Sequence, residues 1–247
     1  MTDAIGWRKK FAVLVPSTNT SVQPEFDGMR PVGVTNHISR IRIPNMALRS
    51  NDDFQRLVEL IAAAQIEAVD SAMSMEPDRL VLGISAESFW DGYAAARRLK
   101  QELEQHSGIA VTTGSDAVES VLKLIGVKRI AVITPYFPVG DENVVRFFEE
   151  AGFSVAKILG LKCESPVAIA HVSEARLRDA LVAVNAPDVE AIVQVGTNLA
   201  MAALASRAEI WLGKPVIAIN TAIYHHALRA SGIDDKIPGW GPLLERY

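Results

Sequence analysis

A single cysteine, Cys163, is all the thiol chemistry that this 247-residue chain can offer. An internal disulfide is excluded, and so is a thiolate metal cluster. Any mechanism that needs two cysteines in one chain is excluded with them. Charge of one sign is also scarce in excess: 25 Lys and Arg stand against 29 Asp and Glu, a net charge of −4. No strongly basic field is available to hold nucleic acid or an anionic membrane. Long hydrophobic runs are lacking. The apolar run over residues 11–15 is one short strand long, far below the roughly 18 apolar residues of a membrane span. No small-residue cleavage site follows it. The expectation is a cytoplasmic protein with no nucleic-acid and no membrane partner. A Gly-rich phosphate loop is missing too, which favours a small acid or amide as substrate over a sugar phosphate.

What is present is an ordinary globular composition, 49% apolar and 22% charged. At roughly 150 residues per domain this allows one large domain or two small ones. Apolar runs of strand length (11–15, 36–43, 79–84, 110–112, 129–133, 154–161, 191–195, 216–219) alternate with helical patterns (52–74, 90–105, 116–125, 141–151, 174–184, 200–212, 222–231). Such alternation predicts βαβ units and mostly parallel sheets. An internal echo divides the chain. FAVLVPSTNT resembles RIAVITPYFP in layout, and RLVLGISAES resembles AIVQVGTNLA, at similar spacing. Two homologous α/β halves would set four strand ends around one cleft, where small-molecule sites lie in such folds.

The strand ends carry the candidate chemistry. After the first strand, Pro16-Ser17-Thr18-Asn19-Thr20 offers hydroxyl, amide and backbone donors to a carboxylate; an ordinary capped turn is the alternative. Gly83-Ile84-Ser85-Ala86-Glu87-Ser88 follows the third strand. There Gly83 permits close backbone approach by a ligand. Ser85 can bind a carboxylate or, beside a base, act as a nucleophile, and Glu87 can act as a general base. Capping of the next helix competes with these roles, most strongly at Ser88. Tyr136, in Thr134-Pro135-Tyr136, offers a phenol to a developing oxyanion. Gly196-Thr197-Asn198 repeats the logic of the third strand end, and Asn220-Thr221 follows the last strand. His225 and His226 are adjacent, so on a helix they face different ways and predict no metal site. Cys163 has no neighbour in sequence that argues for a lowered pKa.

Taken together these segments resemble a known family. PSTNTSVQPE resembles the P-S-S-N-T-x-x-E/P-x-E motif of maleate cis-trans isomerases, and LGISAESF their G-C-T-S-G-S-F segment. GTNLAM and LGKPVIAINTAIYHHALRASGI resemble C-T-N-L and L-G-K-P-V-x-x-x-N-x-A-x-x-W-H-A-L-R-x-x-G. KLIGVKRIAVITPYFPVGDENVVRFFEEAGFSV resembles the segment that opens the family's second half. The likeness spans nearly the whole chain. It identifies the aspartate/glutamate/hydantoin racemase superfamily, in the branch with maleate isomerase and arylmalonate decarboxylase.

The resemblance implies two pseudo-symmetric, flavodoxin-like α/β/α domains (residues 1–114 with 219–247, and 115–218) with the active site in the cleft between them. It also implies no cofactor, small carboxylate substrates and, with the apolar content, a homo-oligomer. In the family one cysteine from each half flanks the substrate, and the decarboxylase keeps only the second. Here those positions are Ile84 and Gly196, which neither donate a proton nor attack. The carboxylate-binding parts are retained: Asn19, Thr20, Ser85, Tyr136, Thr197 and Asn198. Cys163 falls in the loop where maleate isomerases supply a substrate-contacting asparagine. The leading expectation is therefore cysteine-independent chemistry: hydrolysis, elimination, decarboxylation or isomerisation, with Ser85, Glu87 and Tyr136 catalytic. Pro16, Asn19, Thr20, Gly83, Ile84, Gly196, Thr197, Asn198, Asn220 and Cys163 are expected to contact substrate. Conventional isomerase or racemase activity and a non-catalytic carboxylate-binding role are the two alternatives.

Overall fold

The computed structural model describes residues 3–247. Strands β1 (Lys9–Pro16), β2 (Val34–Ile41), β3 (Arg79–Leu82) and β4 (Val111–Thr112) form one parallel sheet in the order β2-β1-β3-β4. Strands β5 (Arg129–Thr134), β6 (Ser154–Gly160), β7 (Ala191–Gln194) and β8 (Val216–Ala218) form a second in the order β6-β5-β7-β8. The two sheets share one strand order, as the internal echo predicts. Phe11, Ala12, Val13 and Leu14 in β1 are fully buried. A central strand covered on both faces reads as such a continuous apolar run.

The helices are α1 (Val22–Met29), α2 (Asn51–Met73), α3 (Gly92–Ser107), α4 (Gly114–Ile125), α5 (Pro138–Glu150), α6 (Glu174–Val184), α7 (Ala202–Leu212), α8 (Ile219–Arg229) and α9 (Pro242–Arg246). Ser50 starts α2 by accepting the Asp53 N–H, and Thr113 starts α4 by accepting the Asp116 N–H. Along α2, Phe54, Leu57, Val58 and Ile61 fall on one buried face. Helix α8 packs on α4, α1, β3 and β4, so the end of the chain returns to the first sheet.

Three elements depart from the sequence expectation. Helix α1 contains Pro24 and Gly28, which hide its pattern, yet Val22, Phe26 and Met29 bury at helical spacing. Pro24 sits in the first turn, where no N–H donor is needed. Residues 219–221, expected at the end of a strand, already open α8. A short 3-10 turn (Glu87–Phe89) precedes α3, which begins at Gly92 where the sequence pattern set its start at residue 90. Among the described residues, no helix is long and apolar enough to cross a membrane.

Candidate active site between the two sheets

The carboxyl ends of β1, β3, β5 and β7 meet at one partly open cavity. From the first half, Pro16, Thr18, Asn19, Ile84, Ser85 and Ala86 line it; from the second, Pro135, Tyr136, Gly196, Thr197 and Asn198. The remaining wall is apolar: Ile43, Phe54, Leu57 and Ile61 on one side, Pro166 and Ile169 on the other. No Cys, His, Asp, Glu, Lys or Arg is among the described residues that line this cavity.

Ser85 and Tyr136 form the polar centre. Their hydroxyl oxygens lie 2.7 Å apart, one from each half. The Thr197 N–H also donates to Ser85 Oγ at 3.2 Å. Two hydroxyls that share one hydrogen bond leave one O–H free to donate to a ligand. Burial pushes the Tyr136 phenol well above its ordinary pKa, so it stays neutral. Its ring packs on Phe54, with centroids 4.9 Å apart. Its backbone N–H donates to Thr134 Oγ1, whose hydroxyl donates to Asp141. Burial raises the Asp141 carboxyl to about 6.

The loops after β1 and β7 are stitched across the seam. Asn19 Nδ2 donates to Thr197 Oγ1, and the Thr20 N–H donates to Asn198 Oδ1. Ser21 Oγ donates to the Asn198 carbonyl, while Asn198 Nδ2 donates to the Thr18 and Pro166 carbonyls. These bonds consume much of the polar capacity that the sequence assigns to ligand. Asn19 and Asn198 face the cavity, yet both also hold the two halves together.

Eight of the residues singled out in the sequence line the cavity: Pro16, Asn19, Ile84, Ser85, Tyr136, Gly196, Thr197 and Asn198. Five do not, and each has a physical reason. Glu87 follows Ser85 into the 3-10 turn and accepts from Gln65 Nε2 at 2.9 Å, one turn beyond Ile61 on α2. Burial raises its carboxyl to about 7. Thr20 is exposed and engages Asn198 through its backbone. Gly83 admits no ligand; its missing Cβ makes room for Val15 and Val22, and its carbonyl accepts from Thr197 Oγ1. Asn220 lies behind the wall, donating to Glu25 and to the Thr197 carbonyl. Cys163 packs into the second apolar cluster with Leu161 and Leu177, and its thiol is pushed up to about 11 by burial.

The apolar wall is what the sequence left unassigned. Phe54, Leu57 and Ile61 were indistinguishable from core residues until α2 was seen to cross the cavity. Thr18 and Ala86 are neighbours of expected residues. Ile43, Pro135, Pro166 and Ile169 carried no signal of their own.

Gly196, which the resemblance sets at a family cysteine position, is closed to a side chain. Gly196 has φ +111°, outside the range of residues with a Cβ, and an added Cβ would overlap Pro135 Cγ at 2.6 Å. Ile84, at the other position, is 2% exposed. Among the described residues, no three His, Cys, Asp or Glu side chains group so as to hold a metal ion.

Comparison with known proteins agrees with this architecture. The maleate isomerase of Pseudomonas putida is 25% identical over 241 residues, covering 94% of this chain and 95% of that protein. The arylmalonate decarboxylase of Bordetella bronchiseptica is 30% identical over 161 residues, covering 64% of this chain and 67% of that protein. Among solved structures, a Nocardia farcinica maleate cis-trans isomerase, a cysteine-to-serine mutant with a covalently bound succinylcysteine intermediate, superposes with a TM-score of 0.87 at 21% identity. That superposition covers 97% of this chain and 99% of the other. The model of the family named for arylmalonate decarboxylase matches residues 12–244. With that match spanning both sheets and every wall of the cavity, the chain belongs to the arylmalonate decarboxylase family, whose relatives include maleate isomerases and a decarboxylase.

Proposed function

We propose that this protein is a cofactor-independent enzyme that decarboxylates a small malonate-type acid carrying an apolar substituent, without using a cysteine. The supporting observation is the Ser85–Tyr136 hydroxyl pair set in a wall that holds no acid–base side chain. Each reaction class open to the family makes different demands. Racemisation needs two bases and thiolate addition needs a nucleophilic sulfur. Hydrolysis needs a base to activate Ser85 or water, and the polar neighbours of Ser85 Oγ are a neutral phenol and a backbone N–H.

Decarboxylation needs no protein base. The bond between the α-carbon and the departing carboxylate breaks, and its electron pair moves toward the retained carboxylate. Carbon dioxide leaves, and an enediolate remains until the α-carbon takes a proton that comes ultimately from water. The two requirements are donors for the developing oxyanion and apolar surroundings for the departing group. A preorganised hydroxyl donor in a site shielded from water meets the first. Ile43, Phe54, Leu57, Ile61 and Ile169 meet the second, because an ionised carboxylate is costly beside apolar groups and neutral CO₂ is not. The cleft between two pseudo-symmetric domains divided near residues 114 and 219 is the site in this account. The name of the Bordetella bronchiseptica relative supplies the first substrate to try, an arylmalonate.

Carbon dioxide release from phenylmalonate, with product formed in D₂O and examined for one deuterium at the α-carbon, tests the proposal. Release with single incorporation supports it. Binding of phenylmalonate with no release points instead to a carboxylate-binding protein.

A further inference from the structure

Glu25 is a half-buried carboxyl group that no step above uses; desolvation raises it to about 7, and both of its oxygens are engaged, Oε1 across the seam and Oε2 within the first half. It projects from α1, after β1 of the first half. Its Oε1 accepts the Ala202 N–H at 3.0 Å, at the start of α7 in the second half. Its Oε2 accepts from Asn220 Nδ2 at 2.6 Å. The same Asn220 Nδ2 donates to the Thr197 carbonyl at 2.9 Å. That residue's own N–H donates to Ser85 Oγ, which meets Tyr136. A continuous path therefore runs from the Glu25 carboxylate through Asn220 and the Thr197 backbone to the hydroxyl pair.

The chemistry of the path requires an acceptor at position 25. Asn220 commits both hydrogens of its amide nitrogen to acceptors, Glu25 and the Thr197 carbonyl, while its Oδ1 has no partner. Turning the amide over would set a carbonyl oxygen against two acceptors. An acceptor on both Glu25 oxygens thus fixes the Asn220 orientation, and Asn220 fixes the Thr197 carbonyl. A carboxylate is also favoured at the N-terminus of α7.

We propose that Glu25 is a positioning residue for the cavity: acting through Asn220, it holds the Thr197 carbonyl and so the backbone of the residue whose N–H meets the Ser85 hydroxyl. The effect on turnover rests on the decarboxylase proposal, whereas the effect on the Thr197 backbone does not.

Glu25→Gln keeps the shape and replaces one acceptor with a donor. Asn220→Ala cuts the path but leaves the Glu25–Ala202 bond, and serves if the first variant fails to fold. Amide hydrogen exchange is read residue by residue, alongside turnover of phenylmalonate. Glu25→Gln and Asn220→Ala are each expected to speed exchange at Thr197 about tenfold, the scale of one lost hydrogen bond. In both, kcat on phenylmalonate falls about tenfold or more while KM holds within about twofold, the pattern of a lost transition-state interaction. The double variant Glu25→Gln with Asn220→Asp rebuilds the bond between the two side chains but presents an acceptor to the Thr197 carbonyl. It regains stability and not kcat. Thr197 exchange unchanged in both single variants overturns the proposal. Wild-type protein that leaves phenylmalonate untouched counts against the decarboxylase proposal, and Thr197 exchange still decides the role of Glu25.

Discussion

Ser85 and Tyr136 join the two halves of the molecule through a single 2.7 Å hydrogen bond at the floor of the cavity. Ser85→Ala and Tyr136→Phe each remove one of the two oxygens that can direct an O–H at a ligand. Each is expected to lower kcat/KM by about 10²–10³, the scale measured for one oxyanion donor. Because the two groups act as one unit, the double variant should lose little more than either single one. Steady-state kinetics of the three variants checks this. Fully additive losses would show that the hydroxyls act independently.

Cys163 is 4% exposed, and burial pushes its thiol up to about 11. The thiolate is the reactive form. Native protein should therefore react with iodoacetamide near neutral pH far more slowly than protein unfolded in guanidinium. Mass spectrometry of the Cys163 peptide after timed quenching reads the ratio directly. Rapid native labelling would put this thiol in reach of the cavity.

Placing a cysteine at Gly196 or at Ile84 should have unequal consequences. At Gly196 any side chain faces a φ of +111° and overlaps Pro135. Gly196→Cys should cost about 2 kcal/mol or more of stability. At Ile84 the backbone carries no positive φ. Ile84→Cys should fold, losing the roughly 1–3 kcal/mol of a smaller core side chain. Urea unfolding of both variants gives the comparison. Equal stability of Gly196→Cys and wild type would show that the β7 end relaxes to accept a side chain.

Glu87 predicts a pH signature. Its carboxyl is raised by burial from an ordinary 4.5 to about 7. A raised carboxyl favours folding while protonated, so its contribution is complete below about 4.5 and is lost as pH rises through 7. Glu87→Gln removes that dependence. Relative to wild type, the variant should gain stability between pH 4.5 and 8, by up to about 3 kcal/mol at 1.4 kcal/mol per unit. Thermal unfolding of both proteins across that range measures it. A constant difference would mean that Glu87 titrates as if exposed.

Much of the architecture was legible because β1, β3, β5 and β7 are largely buried runs, and each ends at or within two residues of a Pro, Gly or Thr. Ser85, Tyr136 and Thr197 could be found from that rule alone. Glu87 and Cys163 could not be placed correctly. Their distance in sequence from a strand end says nothing about which way a 3-10 turn or a loop directs the side chain. Helix α1 was hidden by Pro24 and Gly28, and with it the significance of Glu25. The apolar wall was hidden for the opposite reason: Phe54, Leu57 and Ile61 follow the helical period that any core-facing helix shows.

The most direct test of the central claim is a side-by-side measurement of CO₂ release from phenylmalonate by wild type, Cys163→Ser and Ser85→Ala. Equal release by wild type and Cys163→Ser, in a chain then free of cysteine, and loss in Ser85→Ala are expected. Release by wild type that disappears in Cys163→Ser, or persists undiminished in Ser85→Ala, would contradict that claim.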